Sequence, residues 1–538
     1  MHRAVAVLIL ISMTLSACGS TPSIWGTLHT PTPDAPIPDT PHFDPFIVQD
    51  QPIVHPTETI PPPSETDPES TPTPPGTDTA IPPTSTPPLA DSAPFLYYSQ
   101  SGDMLSAIAS RFSVSEEEIV SDTDLTRSTL LEPGTLLIIP NRINEATTPN
   151  IQIMPDAEVV YSATALNFDT KQYVQEQGGY LSTFRDYLGS TGWIEGHAAI
   201  DRLAIENSIN PRLLLGVLEY ESRWVRGQPI NILRTEYPMG FHDYRYKGMS
   251  VQLTWAINTM SIAYYGWRAG TMTHLEFADG TTLRLDPRLN AGTVAIQYLF
   301  SRLYSQSQWA QIINLEAGFP AMYVDMFGDP WARADLISPI FPTALDQPTL
   351  VLPFEPGVKW SFTGGPHNGW GQINPNIYGQ GHSVYAAIDF APGAEETGCA
   401  PTLTWVAAAA PGLVVRSGNG VVMVDLDGDG YEQTGWNLLY LHIADKNRVP
   451  MGTWLETNDR IGHASCEGGV STGTHLHFAR KYNGEWITAD GPIPFILSGW
   501  RVIAGGRAYE GTLVRGDQVV IADPLGGSRS NIIREKDE

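Results

Sequence analysis

Residues 19 to 94 have a composition that cannot form a packed core. Pro, Thr, Ser and Asp dominate this segment, as in "PTETIPPPSETDPESTPTPPGTDTAIPPTSTPPLADSAP". Such a stretch buries too little apolar surface to offset the entropy lost on ordering. We therefore predict a disordered tether over 19–94, which reaches up to roughly 200 Å at polyproline spacing. The folded domains must follow it.

The first residues, "MHRAVAVLILISMTLSACGS", carry a basic residue and then an apolar run. The run is too short to span a bilayer comfortably, so it predicts a secretion signal. "LSAC" resembles the lipobox of bacterial lipoproteins. That resemblance implies a lipoprotein signal peptide over 1–18 and a lipid on Cys18 that anchors the protein to the membrane. The alternative is a plain signal peptide with an incidental cysteine.

Length and charge limit the domain count and the partners. A chain of 538 residues predicts two to four domains. Its formal charge of -27 argues against nucleic-acid binding and against anionic-lipid binding through bulk charge.

The chain has three cysteines. If Cys18 carries lipid, only Cys399 and Cys466 remain. In an oxidising compartment they form a disulfide or stay as two free thiols.

Residues 95 to 141 predict a small β-α-α-β domain. Apolar residues recur at helical spacing at Leu105, Ile108, Ala109 and Phe112. "SVSEEEIV" predicts a second helix capped by Ser115 and Glu118, and "EPGTLLIIP" predicts a turn and a strand. The order, with "GDMLSAIASRF" and "LLEPGTLLIIP", resembles a LysM domain, which implies binding of N-acetylglucosamine-containing glycans. The alternative is a structural domain without a ligand.

Residues 150 to 348 are predicted to be mainly helical. In "ENSINPRLLLGVLEYESRW", Asn210 is a good N-cap and Pro211 suits the first turn, so a helix begins there. At the helical period, Glu221 falls in the middle of an apolar face. Burial on such a face should raise the pKa of this carboxyl group, as a general acid for glycoside cleavage requires.

The same stretch is similar to the catalytic-glutamate helix of lysozyme-like lytic transglycosylases, in which the Glu of an "ES" pair is the acid. The resemblance implies a lysozyme-like fold over 150–348 and makes Glu221 a candidate catalytic residue for glycan cleavage. The alternative is a helical spacer in which Glu221 pairs with an internal arginine.

Residues 349 to 500 predict a mainly antiparallel β domain with a metal centre. Runs such as "GVVMVDL" and "NLLYLHI" are strand-like and separated by Gly, Pro and Asp turns. Side chains alternate along a strand, so His475 and His477 in "THLHF" point to the same side. They can therefore serve one metal centre as a ligand and a neighbouring acid–base group. A purely structural histidine pair is the alternative.

"LPFEPGVKWSFTGGPH", "AAIDFAPG", "LYLHI" and "CEGGVSTGTHLHFARKYNG" follow one another in this region. In this order they resemble the lysostaphin/LytM-type zinc endopeptidases, and among them the beta-lytic and staphylolysin branch most closely. The resemblance implies that His477 and Asp389 bind zinc, that His475 is the catalytic base and that His442 stabilises the charged intermediate.

Two residues compete for the first histidine ligand. The beta-lytic branch places it in a "G-x-H" segment, which matches His367 in "GGPHNGW", whereas His382 lies in the same loop. We favour His367. Two imidazoles and one carboxylate leave a tetrahedral zinc ion with a fourth position for water. Zinc lowers the pKa of that water towards ~7 and polarises the scissile carbonyl.

We assign no catalytic or metal-binding function to two further segments. "VDLDGDGYEQTGW" begins like a calcium loop but has Trp436 at the twelfth position, where such a loop has Glu. We interpret it as an Asp-Gly hairpin turn. Residues 501 to 538 predict a small hairpin, "AYEGTLVRGDQVVIA", and a frayed charged end.

Together these features predict a multidomain α+β protein held on the outer face of the cell membrane or in the cell wall. It would bind peptidoglycan glycan through the LysM domain and cleave cross-bridge peptides as a zinc endopeptidase. Glycan cleavage at Glu221 is an additional hypothesis. The alternatives are a non-catalytic wall-binding or amidase-activating lipoprotein, and a secreted protease for glycine-rich proteins.

Overall fold

The structure is a computed structural model that describes residues 93–125, 130–188, 192–342, 344–370, 384–393 and 398–536. The predicted signal peptide, Cys18, the tether up to residue 92 and His382 lie outside the described residues. Within these described ranges, no helix is both long enough and apolar enough to cross a membrane.

The first folded segment is a two-stranded sheet with one helix. Strand β1 (Phe95–Tyr98) pairs antiparallel with β2 (Leu136–Ile139), and helix α1 (Leu105–Phe112) packs on them. Met104 precedes α1 and makes no side-chain capping bond. Instead it packs into an apolar cluster shared with residues 334–345 and 487–493.

The second helix predicted for this segment is wrong over the described residues. Ser115 and Glu118 form the predicted capping box, but they close only a 3₁₀ turn over Glu116–Glu118. The backbone of Val120 exchanges hydrogen bonds with that of Ile138, and this pairing keeps the chain extended after the turn.

The next segment is helical, as predicted, with two short hairpins. The helices are α2 (Asp156–Val159), α3 (Thr170–Gln177), α4 (Gly196–Asn207), α5 (Pro211–Ser222), α6 (Ile232–Glu236), α7 (Met249–Arg268), α8 (Ala291–Ser301), α9 (Gln306–Ile312), α10 (Phe319–Phe327) and α11 (Pro330–Asp335). The hairpins are β3 (Arg185–Leu188) with β4 (Gly192–Glu195), and β5 (His274–Glu276) with β6 (Thr282–Arg284). Helix α5 begins as predicted, because the Asn210 side chain accepts a hydrogen bond from the Arg212 N–H and proline follows it.

An antiparallel sheet dominates the rest of the chain. Its strands are β7 (Lys359–Asn368), β8 (Tyr385–Pro392), β10 (Gly412–Gly418), β11 (Val421–Asp425), β12 (Trp436–Leu441), β13 (Trp454–Leu455), β15 (Leu476–Tyr482), β16 (Glu485–Trp486) and β21 (Asn531–Ile533), while β9 (Trp405–Ala407) pairs separately with β14 (Arg460–His463). Among the described residues the main sheet runs β13-β10-β11-β12-β15-β8-β7-β21, with β16 beside β15. The centre of this sheet is therefore formed by the strands that carry "LYLHI", "HLHF" and "AIDFAPG".

The end of the chain is more ordered than its sequence predicts. The predicted hairpin exists as β19 (Gly511–Arg515) and β20 (Gln518–Ile521), but it belongs to a four-stranded sheet with β17 (Ile496–Leu497) and β18 (Trp500–Ala504). The predicted fraying is wrong for β21, which pairs with β7. Arg534 follows it, fully buried, and donates hydrogen bonds to the carbonyls of Leu352 and Phe354.

A buried arginine joins all three folded segments. Arg268, at the end of α7, forms ion pairs with Asp156 of α2 at 2.9 Å and with Glu485 of β16 at 3.2 Å. It also donates a hydrogen bond to the carbonyl of Ser101 in the first segment. Burial raises the pKa of Glu485, and Arg268 opposes that shift. One guanidinium therefore satisfies groups from each of the three segments.

We expect Arg268→Ala to lower the free energy of unfolding by about 3–5 kcal/mol, because the substitution leaves buried carboxylates without their cation. Arg302→Ala is the matched control. Its ion pair with Glu276 is exposed, so its loss should cost no more than about 1 kcal/mol. Urea denaturation followed by far-ultraviolet circular dichroism measures both. Equal losses for the two variants would contradict a central role for Arg268.

Candidate metal centre

Strand pairing brings two of the predicted ligands together. β15 and β8 are neighbours, and their register sets His477 directly opposite Asp389. Directly opposed residues of an antiparallel pair project their side chains from the same face. Both side chains are buried, with 4% of His477 and 7% of Asp389 exposed.

The third residue, His367, arrives from β7 on the other side of β8. The β7–β8 register shifts between Phe362 and Asn368, so this end of β7 departs from regular pairing. Gly364 lies opposite Asp389, and a Cβ atom there would come within 2.6 Å of the Asp389 Oδ2 atom. A glycine at 364 therefore makes room for the carboxylate.

The three side chains converge on a common point. His367 Nε2 lies 3.0 Å from His477 Nδ1 and 3.2 Å from Asp389 Oδ1. His477 Nδ1 lies 3.3 Å from the same oxygen. Metal–ligand bonds of about 2.0–2.1 Å in a tetrahedral arrangement put the ligand atoms about 3.4 Å apart. The three distances fit a tetrahedral ion such as zinc.

The remaining ring nitrogens show that the converging atoms need a cation. His367 Nδ1 donates to the carbonyl of Gly365 at 2.9 Å, and His477 Nε2 donates to the carbonyl of Gly369 at 3.0 Å. In the neutral rings, the two facing nitrogens are therefore lone pairs in close contact. Asp389 Oδ1 beside them is buried without a hydrogen-bond partner. A metal ion at the common point would satisfy all three atoms, and the backbone carbonyls already orient both imidazoles.

Electrostatics keeps these groups in the protonation states that bind metals. Burial by itself would raise the pKa of Asp389, but the neighbouring imidazoles of His367 and His475 outweigh it and hold that pKa well below its usual range. Burial lowers the pKa of His477. A carboxylate and a neutral imidazole are the forms that coordinate a metal ion.

Two more histidines face the same centre. His475 Nδ1 lies 2.8 Å from the carbonyl of Gly473, and its Nε2 lies 3.8 Å from Asp389 Oδ1. His442 Nδ1 lies 2.8 Å from the carbonyl of Glu467, and its ring centroid lies 4.5 Å from that of His475. Burial, followed by the neighbouring imidazoles of His475 and His477, lowers the pKa of His442 to about 3. The structure thus brings together all five residues predicted for this centre.

The disulfide, which the sequence left open, supports the loop before His475. Cys399 and Cys466 are bonded. Thr474 donates to the carbonyl of Gly398 from its N–H and to the carbonyl of Ala400 from its hydroxyl. The loop that carries the first histidine of "HLH" is therefore fixed to the segment after residue 397.

Tyr509, which lies in the segment predicted to have no chemistry, also contacts this centre. Its ring stacks on the imidazole of His367, with centroids 4.2 Å apart and planes inclined by 23°. The backbone just before His367 also bonds to this residue, because Gly365 N–H donates to the Tyr509 carbonyl and Tyr509 N–H donates to the Pro366 carbonyl. Nothing in the local sequence around residue 509 signals this contact.

Glu221, the remaining predicted catalytic residue, lies apart from this centre. It is 5% exposed, and burial raises its pKa, as the sequence predicts. However, Arg234 donates to Glu221 Oε2 at 2.9 Å, and the Tyr304 hydroxyl lies 2.8 Å from the same oxygen and 3.0 Å from Oε1. This is the arrangement of the alternative reading, in which Glu221 pairs with an internal arginine.

Comparison with known proteins supports the resemblances for two of the three folded segments. Residues 100–140 match the family model "LysM domain". Residues 152–340 match the model "LasA, N-terminal domain", so the helical segment has a recognised counterpart, while its predicted lysozyme-like fold stays a prediction.

Named proteases are among the relatives of this chain. Protease LasA of Pseudomonas aeruginosa (strain UCBPP-PA14) is 26% identical over 367 residues, which are 65% of this chain and 78% of that protein. The beta-lytic metalloendopeptidase of Lysobacter enzymogenes is 27% identical over 162 residues, which are 30% of this chain and 83% of that protein. The chain resembles the beta-lytic metalloendopeptidases. A solved structure described as a novel M23 metalloprotease, pseudoalterin, is 24% identical, covers 33% of this chain and 96% of that chain, and has a TM-score of 0.26.

We expect the purified full chain to bind one zinc ion, and His477→Ala and Asp389→Asn to lose it, because each removes one of three converging donors. His367→Ala should lose it as well, whereas His382→Ala should keep it. His274→Ala is the matched control, since that histidine is exposed on the β5 hairpin. Inductively coupled plasma mass spectrometry of dialysed protein gives the stoichiometry. Zinc retained by His367→Ala and lost by His382→Ala would reverse our choice of the first ligand.

Proposed function

We propose that this protein is a zinc endopeptidase that cleaves the cross-bridge peptides of peptidoglycan. The observation that carries the proposal is the convergence of His367 Nε2, His477 Nδ1 and Asp389 Oδ1 within 3.3 Å of one another. These three residues would hold the ion. When bound, zinc supplies an acidified water molecule and polarises the scissile carbonyl.

In this proposal His475 is the general base. The carbonyl of Gly473 accepts the hydrogen of Nδ1, so Nε2 carries the lone pair and faces the centre, where it can take a proton from the attacking water. Removing that proton makes the nucleophile, and the protonated ring can later give the proton to the leaving amine.

His442 has a different role, because it is more deeply buried. Its Nδ1 proton is held by the Glu467 carbonyl, so Nε2 gains a proton only when the ring becomes an imidazolium. Burial opposes that charge in the resting site, as the pKa of about 3 indicates. Negative charge developing on the scissile carbonyl oxygen opposes the effect of burial and favours the protonated ring. We infer that His442 stabilises the reaction at the stage when this charge appears.

The substrate proposal rests on the neighbouring domain and on the loops around the centre. The LysM match suggests a glycan-binding segment, and this segment is fixed to the catalytic domain through Arg268. One stretch of the lining of the cleft beside the centre consists largely of small residues, Gly468, Gly469, Ser471, Thr472 and Gly473, while Trp370 and Tyr509 also line the cleft. A wall of small residues leaves room for an extended peptide backbone, as in a glycine-rich or other small-residue cross-bridge.

Anchoring through a lipid on Cys18 remains part of the proposal and rests on "LSAC" alone. Glycan cleavage by Glu221 does not form part of it. Both carboxylate oxygens of Glu221 are engaged by Tyr304, and Arg234 holds one of them. We therefore assign Glu221 a structural role in the helical domain.

Digestion of purified sacculi by the zinc-loaded full chain tests the proposal. We expect new peptide amino termini by mass spectrometry with wild type and with the control His274→Ala, and none with His477→Ala or His475→Ala. A parallel digestion of a soluble glycine-rich protein distinguishes a wall enzyme from a general protease. Binding of sacculi without release of peptides by wild type would support the non-catalytic alternative and overturn the proposal.

Glu221→Gln gives a separate expectation in the same digestion. Because Gln keeps the shape of the side chain and its contact with Tyr304, peptide release should stay within about twofold of wild type. Glycan ends, measured as new reducing or anhydro sugars, should be at background for both proteins. Glycan products that appear with wild type and vanish with Glu221→Gln would restore the second activity.

A further inference from the structure

The loop between β11 and β12 groups three aspartates. Asp425, Asp427 and Asp429 each offer a carboxylate oxygen, and these oxygens lie within 4.8 Å of one another. Calcium–oxygen distances of 2.3–2.6 Å allow two ligands of one ion to be up to about 5 Å apart. Asp425 is fully buried, whereas Asp427 and Asp429 are exposed. Three acidic side chains alone do not define a metal site, so the groups around them must show whether a cation can bind there.

The second observation is a buried amide oxygen without a partner. Asn437 lies directly opposite Asp425 in the β11–β12 pair, so both side chains leave the same face of the sheet. Asn437 is fully buried, and its Nδ2 donates to the carbonyl of Thr434 in the loop at 2.7 Å. Its Oδ1 has no hydrogen-bond partner among the described residues. A buried amide oxygen that lacks a donor, on the sheet face that it shares with the Asp425 carboxylate, is costly unless a cation lies beside it.

The nearby cations do not neutralise this cluster. Arg416 and Lys481 both bind Glu432, at 3.0 Å and 2.9 Å. In the part of the chain that the structure describes, none of the three aspartates has an ion-pair partner. The loop therefore concentrates negative charge that its own side chains leave uncompensated.

We propose that this loop binds one calcium ion through Asp425, Asp427, Asp429 and the Oδ1 atom of Asn437. All four donors are oxygens, which calcium prefers, and water at the exposed side completes its six to eight ligands. Backbone N–H groups already orient the carboxylates: Gly430 donates to Asp425, and Tyr431 donates to Asp429.

The sequence of this loop lacks one ligand of the calcium-loop pattern, and the fold supplies an oxygen from a different position. The expected glutamate at the twelfth position is Trp436. The structure supplies the further oxygen from the next residue, Asn437, because strand pairing sets it against the first aspartate of the loop. The ion would join the two ends of the loop at the start of β12, the strand that leads to His442.

Calcium titration of the metal-depleted full chain by isothermal calorimetry tests the proposal. We expect one site with a Kd at or below about 1 mM, the weak end for extracellular calcium modules, and weaker binding of magnesium. Asp427→Asn/Asp429→Asn should weaken binding by at least about 100-fold through the loss of two charges. Both side chains are exposed, so this variant should fold. Asn437→Ala should weaken binding by about 10-fold.

Two controls separate this site from other acidic groups. Asp279→Asn changes an exposed Asp-Gly turn between β5 and β6 and should leave calcium affinity unchanged. His477→Ala should also leave it unchanged, because the histidine-rich centre prefers other metals. Wild-type protein that takes up no calcium at 10 times that Kd, a double variant that binds like wild type, or tighter binding of magnesium would each overturn the proposal. Melting temperature in calcium against EGTA, raised for wild type but not for the double variant, gives a second readout.

Discussion

The pairing of β8 with β15 is the constraint on which the centre depends. It places Asp389 opposite His477, and β7 then adds His367 from the other side. Each imidazole is fixed by a hydrogen bond to a backbone carbonyl, so its free lone pair cannot turn away from its neighbour. Three fixed donors facing one point are unfavourable without a cation. The sheet therefore fixes these donors by its own hydrogen bonds, as the proposed metal site would require.

The helical domain supports this site through one tryptophan. Trp486 donates to the carbonyl of Asn207 at the end of α4, and its backbone N–H bonds to the Tyr265 hydroxyl of α7. Its ring lies so close to Gly369 that a Cβ there would approach it to 2.6 Å. The carbonyl of Gly369 in turn orients His477. The helical domain therefore contacts Trp486, which packs against the glycine that orients the proposed ligand His477. Arg268 also fixes strand β16, to which Trp486 belongs, through its ion pair with Glu485.

Several predictions failed where long-range pairing competed with local pattern. "SVSEEEIV" contains a good capping box, yet Val120 pairs with Ile138 and the helix stops after one turn. The charged end of the chain has no local order signal, yet β21 completes the edge of the main sheet. In the helical domain, the period placed Glu221 on an apolar face correctly, but it could not show that Arg234 and Tyr304 would enclose the carboxylate. The local sequence pattern shows on which face of a helix or strand a residue lies, but it does not show which distant residues that side chain will contact.

The sequence by itself determined the kinds of segment along the chain, because composition and periodicity are local properties. Strand alternation predicted that His475 and His477 share one face, and the resemblance to a zinc endopeptidase family indicated Asp389, His442 and His367 as the other residues of the centre. Only the tertiary structure decided the contribution of Tyr509 to His367, the disulfide between Cys399 and Cys466, and the meeting of Asn437 with the aspartate loop. These contacts join residues that are distant in the chain or separated by a turn, and their geometry is set by sheet register and packing. No local pattern carries that information.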